Sequence, residues 1–282
     1  TNEANKTAAN SGATNEKAAN TAVPVGDAKF PFADFPAVET TAKAGDVVLV
    51  PSFNWIMDAT EKGGDQVTFI WYNQTMANPG KEMSEVKFMS NTHKVPNAYI
   101  IPIPPNGKAK KGDILLTWWQ SGSGMQRAIV VDDANPSEPV VRYLDIEYDN
   151  PAKGKDGTTS IGQTDEKLKP NTFVKINAPM EPGSATAIQD GADLKHGQVI
   201  RAAGEKVFVQ MFAGKVGVFD KSRCQPVPIV PDVKEGDSVK AERYGKFSSG
   251  KVSKVDAKIG RVWVKFDGSD KEEVIAFGDV MK

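Results

Sequence analysis

The sequence predicts an all-β protein, built of three to four small antiparallel barrels in tandem behind a disordered N-terminal tail. Two observations carry that prediction. Four times a Gly-Asp or Gly-Gln pair leads into a short apolar run: Gly45-Asp46 into VVLV, Gly112-Asp113 into ILLT, Gly197-Gln198 into VIRA and Gly236-Asp237 into SVKA. Glycine supplies the free backbone of a turn, aspartate bonds the backbone close by, and the β-branched run that follows suits a sheet. In addition, turn clusters separate alternating segments at intervals of roughly 8–12 residues, the spacing of small barrels or sandwiches.

From the N-terminus, residues 1–43 read as a disordered tether. Thr1 to about Gly26 is rich in alanine, asparagine and threonine. It offers too little apolar surface to offset its ordering entropy. Module one spans 44–105, with strands expected at DVVLVPSF, WIMDATEKG, DQVTFIWYN, EMSEVKFMS and NAYIIPIP. Module two spans 110–179, with ILLTWWQSG, QRAIVVDD and PVVRYLDIEYD as strands and a polar insertion at 151–169. Residues 180–193 read as a linker, and 194–231 as a compact or partial third module. Module four, 234–282, has the clearest pattern: in RVWVKF, Val262, Val264 and Phe266 share one face while Arg261, Trp263 and Lys265 share the other. Such period-two alternation belongs to strands. Proline follows each module, at Pro104 and Pro105, at Pro179 and Pro182, and from Pro226 to Pro231. It blocks ladder continuation and stiffens the connections, so closely coupled barrels are expected rather than beads on a string.

The stretch GDSVKAERYGKFSSGKVSKVDAKIGRVWVKFDGSDKEEVIAFGDV resembles Tudor and related SH3-like barrels. There a Gly-Asp strand, an aromatic-bearing loop, a Gly-x-Val strand, a Val-x-Phe-Asp strand and a terminal Asp-Val follow in that order. The resemblance is good over 234–282, fair over 110–149 and weaker elsewhere. It implies a binding fold in which an aromatic cage can hold a methylated cation. Position by position, Tyr244 matches the first loop aromatic, Phe247 the aromatic opening strand two, Phe266 the strand-three aromatic and Asp267 the acidic partner. In module two, Trp118 and Trp119 fill the first position and Tyr143 the third, with Met125 or Arg127 at the second, so that cage is incomplete. Neighbours on a strand point to opposite faces, so Trp118 and Trp119 cannot both enter one core. Aromatics at alternating strand positions mostly serve cores and interfaces.

Composition excludes several functions. Lysine plus arginine number 35 against 36 acids, a net charge of −1, which lacks the basic excess of a general nucleic-acid binder. One cysteine forbids an internal disulfide or a cysteine-built zinc site. The two histidines, His93 and His196, lie in turn-like contexts beside no nucleophile motif. Asp145, Glu147, Asp149 and Asp156 approach a calcium-loop spacing, but Asn150 stands where the glycine is required. No catalytic residue, metal or cofactor is expected.

The functional expectation is a non-catalytic binding or scaffold protein that recognises a protein or envelope component. The chain opens at Thr1 without an initiator methionine, and its small polar N-terminal stretch is similar to the linker of mature bacterial lipoproteins. That similarity implies an extracytoplasmic protein touching the membrane only through an N-terminal lipid, with a cytoplasmic location as the alternative. The second functional reading is an intracellular Tudor-type reader of nucleic acid or methylated protein, with lysine clusters at 108–111 and 251–265 in its favour.

Overall fold

The computed structural model describes residues 30–62, 67–122, 124–146 and 165–282. The first sheet holds β1 (Val47–Pro51), β2 (Trp71–Asn78), β3 (Met83–Phe88), β4 (Asn91–Pro96) and β5 (Ile101–Pro102) in the order β4-β3-β2-β1-β5. The second holds β6 (Ile114–Trp118), β7 (Met125–Asp132), β8 (Val140–Tyr143), β9 (Asp165–Lys167) and β10 (Val174–Lys175) in the order β10-β6-β7-β8-β9. A third, larger sheet begins with β11 (Ala185–Asp190), β12 (Asp193–Ala203), β13 (Lys206–Met211), β14 (Val216–Asp220) and β15 (Cys224–Pro226). It continues with β16 (Ser238–Arg243), β17 (Lys246–Asp256), β18 (Arg261–Phe266), β19 (Glu272–Ala276) and β20 (Val280–Met281).

All pairings are antiparallel, and one wiring recurs four times: the first strand of each unit lies between the fifth and the second, and the third and fourth follow outward. The second strand carries a bulge in every unit, at Met76/Asn78, Val130/Asp132, Val199/Arg201 and Val252/Lys254. An extra residue there sharpens the local twist, which bends that strand around the core. The all-β class stands on these ladders.

The unit openings share one hydrogen-bonded turn. Gly45, Gly112 and Gly236 sit at φ 92°, 87° and 89°. Their N–H groups donate to the second strand, at Met76, Val130 and Val252. The aspartate beside each accepts from the backbone N–H three residues back, at 2.8 Å for Lys43, 2.9 Å for Lys110 and 2.9 Å for Lys234. The third unit departs from expectation. Its opening is Gly183-Ser184, with Gly183 at φ 89° donating to Val199 and the Ser184 hydroxyl donating to the Glu181 carbonyl at 2.7 Å. Gly197 instead lies within β12. The residues read as a linker, 180–193, therefore contain this turn and β11, whose Ala185, Ala187 and Ile188 are buried.

The two kinds of opening glycine predict different costs. Nothing lies within 4 Å of a Cβ built on Gly45, so Gly45→Ala is expected to lose only the left-handed strain, about 1–2 kcal/mol. At Gly183 the same atom falls 2.9 Å from both Ile176 Cδ1 and Leu116 Cδ1, so overpacking adds roughly 1–3 kcal/mol to that strain. Denaturant midpoints of the two variants, compared with the parent, measure the difference.

Three further expectations are corrected. WIMDATEKG is no strand: α1 (Phe53–Lys62) occupies it, because Ile56 and Ala59 bury at a spacing of three residues, a helical period. The tether does not reach residue 43, since Phe35 and Ala42 are buried; residues 1–29 lie outside the described part. The polar insertion does not reach 169, since β9 pairs with β8 and Leu168 is buried; residues 151–164 lie outside the described part.

The units share the larger part of their interior. A single apolar cluster runs from Phe35 through Trp71, Ile129 and Phe208 to Val280. Phe208 is its meeting point, with ring centroids 5.3 Å from Phe32, 6.0 Å from Phe35, 6.1 Å from Trp71 and 5.7 Å from Tyr99. The first unit is bonded to the third by Phe69 N–H to the Gly214 carbonyl at 3.0 Å and Val216 N–H to the Val67 carbonyl at 2.8 Å. The third and fourth units join where Lys195 of β12 faces Lys246 of β17.

Candidate functional site

The second, third and fourth units meet around a buried ion network. Arg127 leaves β7 toward the fourth unit with 6% of its side chain exposed. Its Nε and Nη2 donate to Asp145 Oδ1 at 2.8 and 2.6 Å, and Asp145 Oδ2 accepts the Arg127 backbone N–H at 2.6 Å. Arg127 Nη2 also donates to Asp279 Oδ2 at 2.6 Å. The second Asp279 oxygen lies 2.9 Å from His196 Nε2, so one carboxylate ties all three units together.

Sequence makes this approach possible. A Cβ at Gly278 would stand 2.7 Å from Arg127 Nη1, and Gly278 sits at φ 86°. Only glycine gives both the conformation and the space. On the other flank, Arg261 Nη2 donates to the Tyr143 carbonyl at 2.9 Å.

The charges are stable as charges. Burial raises the Asp279 carboxyl, but the Arg127 guanidinium, the His196 ring and their hydrogen bonds outweigh it and hold the group well below the usual carboxylate range. Burial opposes the Arg127 charge, and Asp145 and Asp279 more than offset it. Arg127 and Asp279 thus hold each other in the charged form.

Above this network opens a cavity of about 370 Å³, lined among others by Leu144, Asp145, His196, Gln198, Met211 and Phe212. His196, Met211 and Phe212 continue into a second recess of about 240 Å³ with Lys195, Lys215, Tyr244, Gly245 and Lys246. Phe212 is 60% exposed and Tyr244 76% exposed. They come from two different units, Phe212 from the loop after β13 and Tyr244 from the turn between β16 and β17. The units are pinned together at this rim, where His196 N–H donates to the Gly245 carbonyl at 2.9 Å. Phe212 covers Gly245, whose Cβ would fall 2.6 Å from Phe212 Cβ.

The residues expected to form cages are placed otherwise. Phe247 is buried with Ala185, Ala187, Val227 and Met281, packing the third unit on the fourth. Phe266 is a core residue, and Asp267 lies exposed in a turn. Tyr244 and Phe266 do share a cation, but it is the chain's own: the Arg243 guanidinium lies 5.5 Å from one ring centroid and 4.9 Å from the other, and pairs with Glu273 at 2.6 Å. In the second unit Tyr143 is buried; its hydroxyl donates to Glu166 at 2.5 Å, and burial followed by that bond raises it. Trp118 is half-buried against the shared core and Trp119 against the second unit's own cluster, as opposite faces require. Neither set forms an open box.

Sequence reasoning missed Phe212, Met211 and Lys215, and treated His196 as a turn residue. The FAG tripeptide of 212–214 does contain a signal: a bulky aromatic beside a glycine in a loop, with no alternation to bury it. Asp145, set aside as a calcium ligand, spends both oxygens on Arg127, and Glu147, Asp149 and Asp156 lie outside the described residues. Among the described residues no cluster of three or more His, Cys, Asp or Glu is arranged to hold a metal ion. Cys224 is buried on β15, and burial pushes its thiol up, away from the reactive thiolate.

No family model matches the chain, and neither does any curated protein. Among solved structures, the four MBT repeats of Drosophila melanogaster Sfmbt in complex with the peptide RHR (me)K VLR align with 85% of this chain and 88% of that one, at 9% identity and a TM-score of 0.17. A likeness of that size carries no argument about ligand or fold, and the all-β class rests on the strand pairing itself.

Proposed function

We propose that this chain is a non-catalytic binding or scaffold protein, and that a protein partner docks at the junction of its second, third and fourth units. One observation carries the reading. Two large aromatics from separate units stand exposed at the mouth of a double cavity, Phe212 at 60% and Tyr244 at 76%. Beneath them Arg127, Asp145, Asp279 and His196 satisfy one another and hold the mouth in shape. Exposed aromatics on a rigid frame give contact area at low entropic cost, which is how binding surfaces are built. The methyl-cation reading is disfavoured, because Arg243 already lies against Tyr244 and Phe266.

The proposal extends to an envelope-associated protein held by its N-terminal stretch, on the composition of residues 1–26. Fractionation of source cells with an antibody to the folded part tests that extension, and a purely cytosolic signal rejects it.

The docking reading is tested by photocrosslinking in the cell. With p-benzoylphenylalanine at position 212, illumination is expected to give a discrete protein adduct, and the same probe at exposed Lys258 to give none. Tyr244→Ser should weaken the adduct several-fold. Failure to form a discrete adduct at position 212 overturns the reading.

A further inference from the structure

We infer that the recess beneath Phe212 and Tyr244 takes an acidic, extended peptide segment, with an apolar side chain on the aromatics and carboxylates on the surrounding lysines. This deepens the docking reading above and rests on it. The argument is one of charge and shape. Lys195, Lys215, Lys246 and His196 line the recess together with Met211, Phe212, Tyr244 and Gly245, and no acid is among the lining residues. Lys215 makes no ion pair among the described residues. Lys195 is paired with Asp190, and Lys246 with Asp193 at 2.6 Å, but these are surface pairs about half exposed. Such pairs contribute little in water, so an incoming carboxylate shares the lysines at small cost.

The apolar half of the recess has its own logic. Tyr244 sits at φ 53° and Ala213 at φ 58°, left-handed positions where asparagine or glycine is at ease and a tyrosine is not. Tyr244 gains no burial in return, being 76% exposed. Its ring lies beside the Arg243 guanidinium and lines the recess. Phe212 braces the opposite side against Gly245.

The surroundings favour a peptide over a nucleic acid. Asp190, Asp193 and Glu242 lie just outside the lysines, bonded to Lys195, Lys246 and the Gly245 N–H. They confine the positive field to a few ångströms, enough for one or two carboxylates and too short for a run of phosphates. A recess of about 240 Å³ accepts one or two side chains.

The test titrates the full ¹⁵N-labelled chain with the capped peptide Ac-Glu-Asp-Leu-Phe-Asp-Glu-NH2, its Gln/Asn isostere, and a short oligothymidylate. The expected result is saturable amide shifts at Lys195, Phe212, Lys215, Tyr244 and Lys246 with the acidic peptide, weakened by salt, and none with the isostere. Replacing Lys195, Lys215 and Lys246 together by glutamine is expected to weaken the acidic peptide about tenfold, with the thermal midpoint unchanged. Equal shifts from the isostere, or stronger ones from the oligothymidylate, overturn the proposal, as does silence at these amides. A protein adduct at position 212 without acidic-peptide shifts rejects the acidic partner and leaves the docking reading standing; loss of both rejects the two together.

Discussion

Asp279→Ala is expected to lower the unfolding free energy by about 3 kcal/mol, because it removes two charge-assisted hydrogen bonds and leaves the buried Arg127 cation with one of its two carboxylates. Arg127 keeps Asp145, but the Asp279 contact at 2.6 Å and the His196 contact at 2.9 Å both go, and with them the link across three units. Asp279→Asn keeps the shape and some hydrogen bonding but not the charge, so its loss should be smaller. The same carboxylate sets an acid limit. Its folded pKa is depressed below the unfolded value of about 3.9. The stabilisation is therefore complete above about pH 4 and is lost as pH falls through the lower folded value. Acid titration followed by near-ultraviolet circular dichroism should show the parent losing stability below pH 4, and the Asp279→Asn variant showing a shallower acid limb.

Phe208→Ala is expected to cost about 3–5 kcal/mol, the usual penalty for emptying a phenylalanine site in a tight core. Its distinguishing effect is on cooperativity. Phe208 is 1% exposed and is the point where Phe32 and Phe35, which precede β1, touch Trp71 and Tyr99 of the first unit and the third unit. Calorimetry of the parent is expected to give one transition. The variant should separate the melting of the first unit from that of the rest. A single, merely shifted transition would show that the backbone bonds between Phe69 and Gly214 suffice to couple the units.

Much of the fold could be read from local chemistry, and the exceptions have physical reasons. The fourth unit is plain in the sequence because its turns are built from glycine and aspartate and β18 alternates from Val262 on, with Val262, Val264 and Phe266 inward. The third opening was hidden because Ser184 does with one hydroxyl what aspartate does elsewhere with a carboxylate, and Pro182-Gly183-Ser184 reads like a spacer. Gly197 mimics an opening in the sequence, but its role is close packing, a Cβ there lying 2.9 Å from Ile188 Cδ1. Helix α1 reads as a strand in the sequence because a ten-residue segment shows barely three helical turns of pattern.

The site was less accessible still. Tyr244 is exposed, since this turn residue projects outward. Phe247 and Phe266 followed the strand alternation into packing, as the majority of such aromatics do. The Arg127, Asp279 and His196 network has no local signature at all. Its members stand 152 and 83 residues apart, and only the assembled units bring them together.

That separation reaches back to synthesis on the ribosome. Arg127 meets Asp145 18 residues on, but its second counter-charge, Asp279, is translated 152 residues later, in the turn before β20. At elongation rates of roughly 5–20 residues per second, the delay is on the order of 8–30 s. During it the nascent chain holds Arg127 with one of its two carboxylates and an open apolar flank, and is most exposed to chaperone capture.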